Sequence, residues 1–271
     1  FSVSAMADVS VYGKANVALQ HADEAAAGDS TVELVSNASR IGVKGSEEIS
    51  SGINVIYQFE YQTEVDDGTN GTQTFGQRNI YLGLQGKAGT VMAGHFDTPT
   101  KMIQEKVDLF NDMEGDIGQI FKGEIRASNV VQYTSPSLSG MTAAVAYITE
   151  ENDGVTKRGD ADAGVSLSVA YTSKNLYAAV AVDRDVEGEN IDLIRAVVRA
   201  NMGPLQLGLL AESYDKDGVD ESGVVVSAAY ALNNQWVLKA QHGQSDVRIA
   251  DGESTSFGAD YKMSKSTTVY S

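Results

Sequence analysis

The feature that most constrains this chain is a side-chain alternation with a period of two, sustained from Asp8 almost to the end. In VSVYGKANVAL, Val9, Val11, Ala15, Val17 and Leu19 share one face, and Ser10, Tyr12, Lys14 and Asn16 share the other. Further on, Ile53, Val55, Tyr57, Phe59 and Tyr61 oppose Asn54, Ile56, Gln58, Glu60 and Gln62. Alternation of this kind marks β-strands with two unlike faces. The same signal recurs at SRIGVKG, RNIYLGLQG, TVMAGHF, NVVQYT, MTAAVAYI, VSLSVAYT, LYAAVAVD, IDLIRAVVRA, LQLGLLAE, VVVSAAYAL, QWVLKAQ and SFGADYKM, then in a stub, STTVYS. That makes fourteen strands and the beginning of another.

The connections alternate too. Short ones (GSEEISSG, GKAG, SPSLSG, TSKN, NMGP, LNNQ, MSKS) are interleaved with long, acidic, Gly-rich ones at 21–31, 64–75, 97–128, 149–163, 184–191, 214–223 and 245–255. A meander with tight turns at one end and long loops at the other predicts an antiparallel transmembrane β-barrel. Pro99, Pro136 and Pro204 all fall in connections, as an unbroken hydrogen-bonded ladder requires. The apolar face carries aromatics near strand ends (Tyr57, Tyr61, Tyr171, Tyr230, Trp236, Tyr261), which suits a bilayer interface. The opposite face is Gln, Asn, Ser, Gly and charge, which suits a water-filled lumen. The rival, a secreted β-sandwich, would bury its apolar face in a core and wet the other.

The longest connection, 97–128, has no strand signal. Loops of this length in compact domains are functional or disordered. Disorder is unattractive, because Ile103, Val107, Leu109, Phe110, Met113, Ile117, Ile120 and Phe121 need burial. Its carboxylates are Asp108, Asp112, Glu114 and Asp116. A partly apolar loop among barrel strands is expected to fold into the hollow.

Composition removes other classes. The net charge of -17 argues against nucleic-acid binding. There is no Cys, and no apolar run approaches the roughly 18 residues of a membrane helix. Catalysis finds no support: His21, His95 and His242 are scattered, and no G-x-S-x-G elbow is present. No metal or cofactor site is expected; the Asp-rich loops lack the spacing of a calcium-binding EF-hand. Phe1 to Ala7 ends in Ala5-Met6-Ala7, the small-residue pattern that precedes signal-peptidase cleavage. Residues 1–7 are therefore expected to be the remnant of an export signal and 8–271 the barrel domain.

The segments DVSVYGKANV, SRIGVKGSEEISSGINVIYQFEYQ, FGQRNIYLGLQGKAGTVMAGHFDTP and RASNVVQYTSPSLSG, in this order, resemble the general diffusion porins of Gram-negative outer membranes. These are the sixteen-stranded trimeric family, and the resemblance runs along essentially the whole chain. It implies a passive water-filled channel for small hydrophilic solutes and ions, a homotrimer latched by the loop at 64–75, and an outer membrane with its lipid and lipopolysaccharide as surroundings. A substrate-selective porin of the same fold is the alternative. The chain departs from the family at His95, where an Arg is usual. It also ends at Ser271 rather than in a strand closing on Phe, so the rest of strand fifteen and all of strand sixteen are expected to be missing.

The resemblance further implies that the third long loop narrows the barrel and faces a basic wall. By motif, that wall would be Lys14, Arg40, Arg78 and Arg126, opposed by Asp112, Glu114 and Asp116. Charged rings of this kind set ion selectivity. Parity puts Lys14 and Arg40 on the polar faces, and Arg126 in step with Gln132. Arg78 shares the parity of Ile80, Leu82 and Leu84, so only a β-bulge between Arg78 and Ile80 would turn it inward. Glycines in MEGDIG suit a tight loop tip and single out Glu114 and Asp116; Asp108 is expected to face water. Lys239, Arg195 and Arg199 have lumen parity but no assigned height. The acidic excess suggests cation preference.

Overall fold

The computed structural model describes residues 8–23, 30–66, 75–150 and 163–271. The expected export remnant, most of the 64–75 latch, and the middles of the 21–31 and 149–163 connections lie outside the described residues. Seventeen strands are described. They are β1 (Asp8–Lys14), β2 (Val17–Asp23), β3 (Ser30–Ser36), β4 (Arg40–Ser50), β5 (Ile53–Thr63), β6 (Phe75–Gly86), β7 (Gly89–Asp97), β8 (Arg126–Thr134) and β9 (Met141–Ile148). After them come β10 (Gly164–Thr172), β11 (Leu176–Arg184), β12 (Ile191–Met202), β13 (Leu205–Lys216), β14 (Val219–Ala231), β15 (Trp236–Ser245), β16 (Gly252–Lys262) and β17 (Thr268–Tyr270).

Fifteen of these strands form one antiparallel sheet in the order β1, then β4 through β17, each paired with its neighbour in sequence; β2 and β3 form a separate hairpin. The first predicted strand is therefore interrupted, and the second is preceded by a further strand, β3, that the alternation did not mark. The break sits at Asn16 and at Ala38, whose φ is +50°. The Ser39 hydroxyl accepts from the Asn16 amide (2.9 Å), and the Asn16 side chain donates to the Asn37 carbonyl (3.0 Å), so the kink replaces ladder bonds with local ones. Joining β1 to β2 and β3 to β4 leaves fifteen strand lines, the fourteen plus a stub of the alternation.

The sheet curls so that its last strand comes back to its first, although β1 and β17 share no ladder. From β17 the Tyr270 hydroxyl donates to Asn16 Oδ1 (2.7 Å) and accepts from Asn37 Nδ2 (3.1 Å), in the kinks that follow β1 and precede β4. A single sheet curled in this way has one continuous inner face, which a two-layer sandwich does not. Its outward residues, among them Leu82, Leu84, Val131, Leu167, Leu209, Val226 and Trp236, are exposed. An exposed apolar surface this extensive marks a membrane or partner surface. No helix among the described residues is long and apolar enough to cross a bilayer.

Two expectations are corrected. The connection at 214–223 is not long: β13 runs to Lys216 and β14 starts at Val219, joined by Asp217-Gly218 with φ of 54° and 82°. That is the two-residue hairpin turn that an Asp-Gly pair favours. Nor is the inner face polar throughout. Ala181, Val197, Leu210 and Val225, on β11 to β14, are buried against Ile103, Val107, Ile117, Ile120 and Phe121 of the long connection. The loop covers this part of the wall, so the inner residues there pack against side chains instead of water.

Candidate functional site

The basic wall is built by neighbouring strands. Lys14 ends β1 and Arg40 opens β4, and the two are direct register partners. In the β5–β6 ladder Phe59 pairs with Ile80 and Tyr61 with Gln77, so Arg78 and Asn79 together stand opposite Glu60. This bulge reverses the parity of Arg78. Its Nε donates to Glu60 Oε1 (2.9 Å) and its NH1 to Gln62 Oε1 (3.2 Å). Glu60 also accepts from the Tyr12 hydroxyl at 2.9 Å. Arg126, at the start of β8, donates to Asn79 Oδ1 (2.9 Å) and pairs with Asp97 Oδ1 (3.0 Å); Lys101 lies 3.6 Å from the same oxygen. The four predicted basic residues thus lie on β1, β4, β6 and β8 of one side of the sheet, with β5 and β7 between them. Glu60 and Asp97, which order them, were not singled out in the sequence. The signal was available: Glu60 lies on the polar face of its strand, between strands carrying Arg40 and Arg78.

The loop enters through a short helix, α1 (Pro99–Met102), capped by the Thr98 side chain. At its tip Asp116 caps a single 3-10 turn at Ile117–Gln119, accepting from the Gly118 amide at 2.7 Å. Its other oxygen accepts from Asn111 Nδ2 (3.0 Å) and from the Asp112 amide (2.8 Å). Held this way, Asp112 adopts φ +64°. Its carboxylate reaches across to Lys14 Nζ (3.3 Å) and Arg40 NH2 (3.1 Å).

Of the three predicted acids, only Asp112 contacts the basic wall. Asp116 uses both oxygens inside the loop, a shaping role, and Glu114 is exposed at the tip. Asp108 does not face water. It is buried, accepting from the Phe110 amide (3.0 Å), Gln241 Nε2 (3.1 Å) and the Ile117 amide (3.3 Å). Gln241, on β15, also accepts from the Leu109 amide (2.8 Å) and donates to the Gly115 carbonyl (3.0 Å), latching the tip to the wall. Lys239 pairs with Asp260 (2.8 Å) beneath the Phe110 ring, and Arg199 lies 3.7 Å from Glu105. Arg195 is wholly buried.

Burial, with Asp116 nearby, pushes the Asp108 carboxyl up from 3.8 to about 7. A carboxyl whose folded value is raised adds stability that is complete below its unfolded value and lost as pH rises through the folded one. The tip is therefore expected to be held more firmly at pH 5 than at pH 8. Amide exchange over residues 108–117 at both pH values, corrected for intrinsic rates, checks this. In Asp108→Asn the difference should vanish; equal protection in the unaltered protein would refute it.

The site can do electrostatic work on whatever passes it. Fixed positive groups on one wall and a carboxylate on the facing loop create a transverse field. Among the described residues no three His, Asp or Glu side chains gather to hold a metal ion.

Comparison with known proteins agrees with this architecture. A family model described as Gram-negative porin matches residues 1–271. The major outer membrane protein P.IB of Neisseria lactamica is 27% identical over 98% of this chain and 87% of its own length. Among solved structures, the anion-selective porin from Comamonas acidovorans superposes with a TM-score of 0.82 at 22% identity, covering 97% of this chain and 87% of that one. Salmonella typhi OmpF, solved in complex with daunomycin, gives 0.79 at 17% identity, with 97% and 88% covered.

Proposed function

Because this chain belongs to the Gram-negative porins, outer-membrane channel proteins and not enzymes, we propose that it passes small hydrophilic solutes and ions through a lumen narrowed where the loop tip at Asp112 meets the strands carrying Lys14, Arg40, Arg78 and Arg126. The observation that carries this reading is the contact of Asp112 with both Lys14 and Arg40 from the tip of a loop packed along the inner wall. Glu114 and Asp116 are assigned lesser parts, the first adding charge at the tip and the second shaping it.

The ion preference follows from local charge and not from the total. Lys14, Arg40, Arg78, Arg126 and Lys101 meet Glu60, Asp97 and Asp112 there. Counting Glu114 and Asp116 of the tip as well, five positive charges face five negative ones, and the narrowing is balanced. The chain's -17 therefore resides elsewhere, and neither sign is strongly favoured at the narrowing. The cation preference suggested by whole-chain composition is accordingly not set there.

We further assign a homotrimer, latched by the 64–75 loop, with the apolar outer face in outer-membrane lipid and lipopolysaccharide at its margin. The test is single-channel recording of the refolded protein in a planar bilayer with a KCl gradient. Ohmic steps that close in thirds and a reversal potential near zero are expected. A folded protein that passes no current would overturn the channel, and a strong reversal potential of either sign would overturn the charge assignment.

A further inference from the structure

We propose that Arg195 is the positioning residue of the constricting loop, stapling both limbs of the loop at their base to the wall opposite the basic cluster. This rests on the loop being the narrowing of the channel. Arg195 lies in β12, with 0% of its side chain exposed. Its Nε and NH2 reach Glu212 Oε2 on β13 at 2.8 and 2.7 Å. Its NH1 donates to Glu124 Oε1 at 2.6 Å and approaches the Thr100 carbonyl at 3.4 Å, while NH2 donates to the Lys122 carbonyl at 2.6 Å.

Thr100 stands on the limb that enters the lumen; Lys122 and Glu124 stand on the limb that leaves it. One planar fork therefore ties both limbs to each other and to two strands. The freedom of a loop grows with the length between its fixed ends, so closing the base restricts everything between Lys101 and Phe121, Asp112 included. A guanidinium suits the task because its donors diverge in one plane and its charge is permanent; an ammonium presents a single point.

The sequence accommodates the staple at Gly123. Its φ is +74°, and a Cβ there would stand 3.1 Å from Arg195 NH2 and 2.9 Å from Leu193 Cδ1. Glu212 completes the arrangement by accepting from the Lys122 amide at 3.3 Å. Arg195 has no surface in the lumen, so it acts on permeating ions only through the position of the loop.

The experiment compares the unaltered channel, Arg195→Met, Arg195→Lys and the double variant Arg195→Met with Glu212→Leu, which leaves no carboxylate of β13 unpaired. Two quantities are read: the rate of transitions among conductance substates, and amide exchange over 103–121 relative to the barrel strands. Loss of a charge-assisted bond predicts roughly tenfold more substate transitions in Arg195→Met. Faster exchange should be confined to the loop, and Arg195→Lys should be intermediate. A folded Arg195→Met or double variant with an unaltered current record and loop exchange would overturn the proposal. So would failure of both to fold, which would make Arg195 a requirement of the barrel itself. Absence of current from the unaltered protein would instead count against the channel reading.

Discussion

Replacing Lys14 and Arg40 together by glutamine is expected to move the reversal potential strongly to the cation sign. At the constriction the count falls from five positive charges against five negative to three against five, and Asp112 loses both partners. A unit charge about 4 Å from an ion is worth about 1 kcal/mol in water and more beside a low-dielectric wall. Two such charges should shift the anion-to-cation permeability ratio by roughly tenfold or more. The effect belongs in about 0.1 M salt, where the Debye length is about 10 Å; at about 1 M it falls to about 3 Å and the shift should fade. Asp112→Asn is the mirror experiment, leaving five positive charges against four and moving the reversal potential to the anion sign. Reversal potentials indifferent to both changes at low salt would place the selective charges elsewhere.

The second large effect concerns stability. Glu212→Leu leaves Arg195 buried, with Glu124 as its remaining carboxylate. Breaking a buried ion pair by removing one partner costs about 3–5 kcal/mol, and Glu124 keeps the expected loss near the lower figure. The double change with Arg195→Met should cost less than the two single losses added together, because neither Arg195 nor Glu212 is left facing the other's absence, while Glu124 loses its guanidinium. Urea titration of the barrel refolded in vesicles measures both. A double variant that loses the sum of the two single losses would show the pair to be uncoupled.

Much of the fold was legible because a barrel strand writes its two environments into alternate residues. The fifteen strand lines and the inward aim of Lys14, Arg40 and Arg126 follow from that. Where the chain bends out of alternation, reading became conditional. Arg78 is correctly aimed only once the bulge opposite Glu60 is known, and parity alone points it outward. The Asp217-Gly218 hairpin was hidden inside a run of acidic residues, although the Asp-Gly pair itself signals a tight turn. Glycine spacing favoured Glu114 and Asp116 and left Asp108 to water, because nothing in the sequence tells which acid of one loop meets which partner. What divides them is which backbone amides each one meets, and the tip's curvature decides that. Val197 and Leu210, apolar on a supposedly wet face, were the sign that part of the lumen is covered.

That covered wall has a consequence for sieving. With the loop lying on β11 to β14, the space left to the lumen depends on how deeply Ile103, Val107 and Phe121 settle against Ala181, Val197 and Leu210. Packing of this kind responds to single methylene groups. The largest molecule admitted is thus governed by side chains that no traveller through the barrel ever meets.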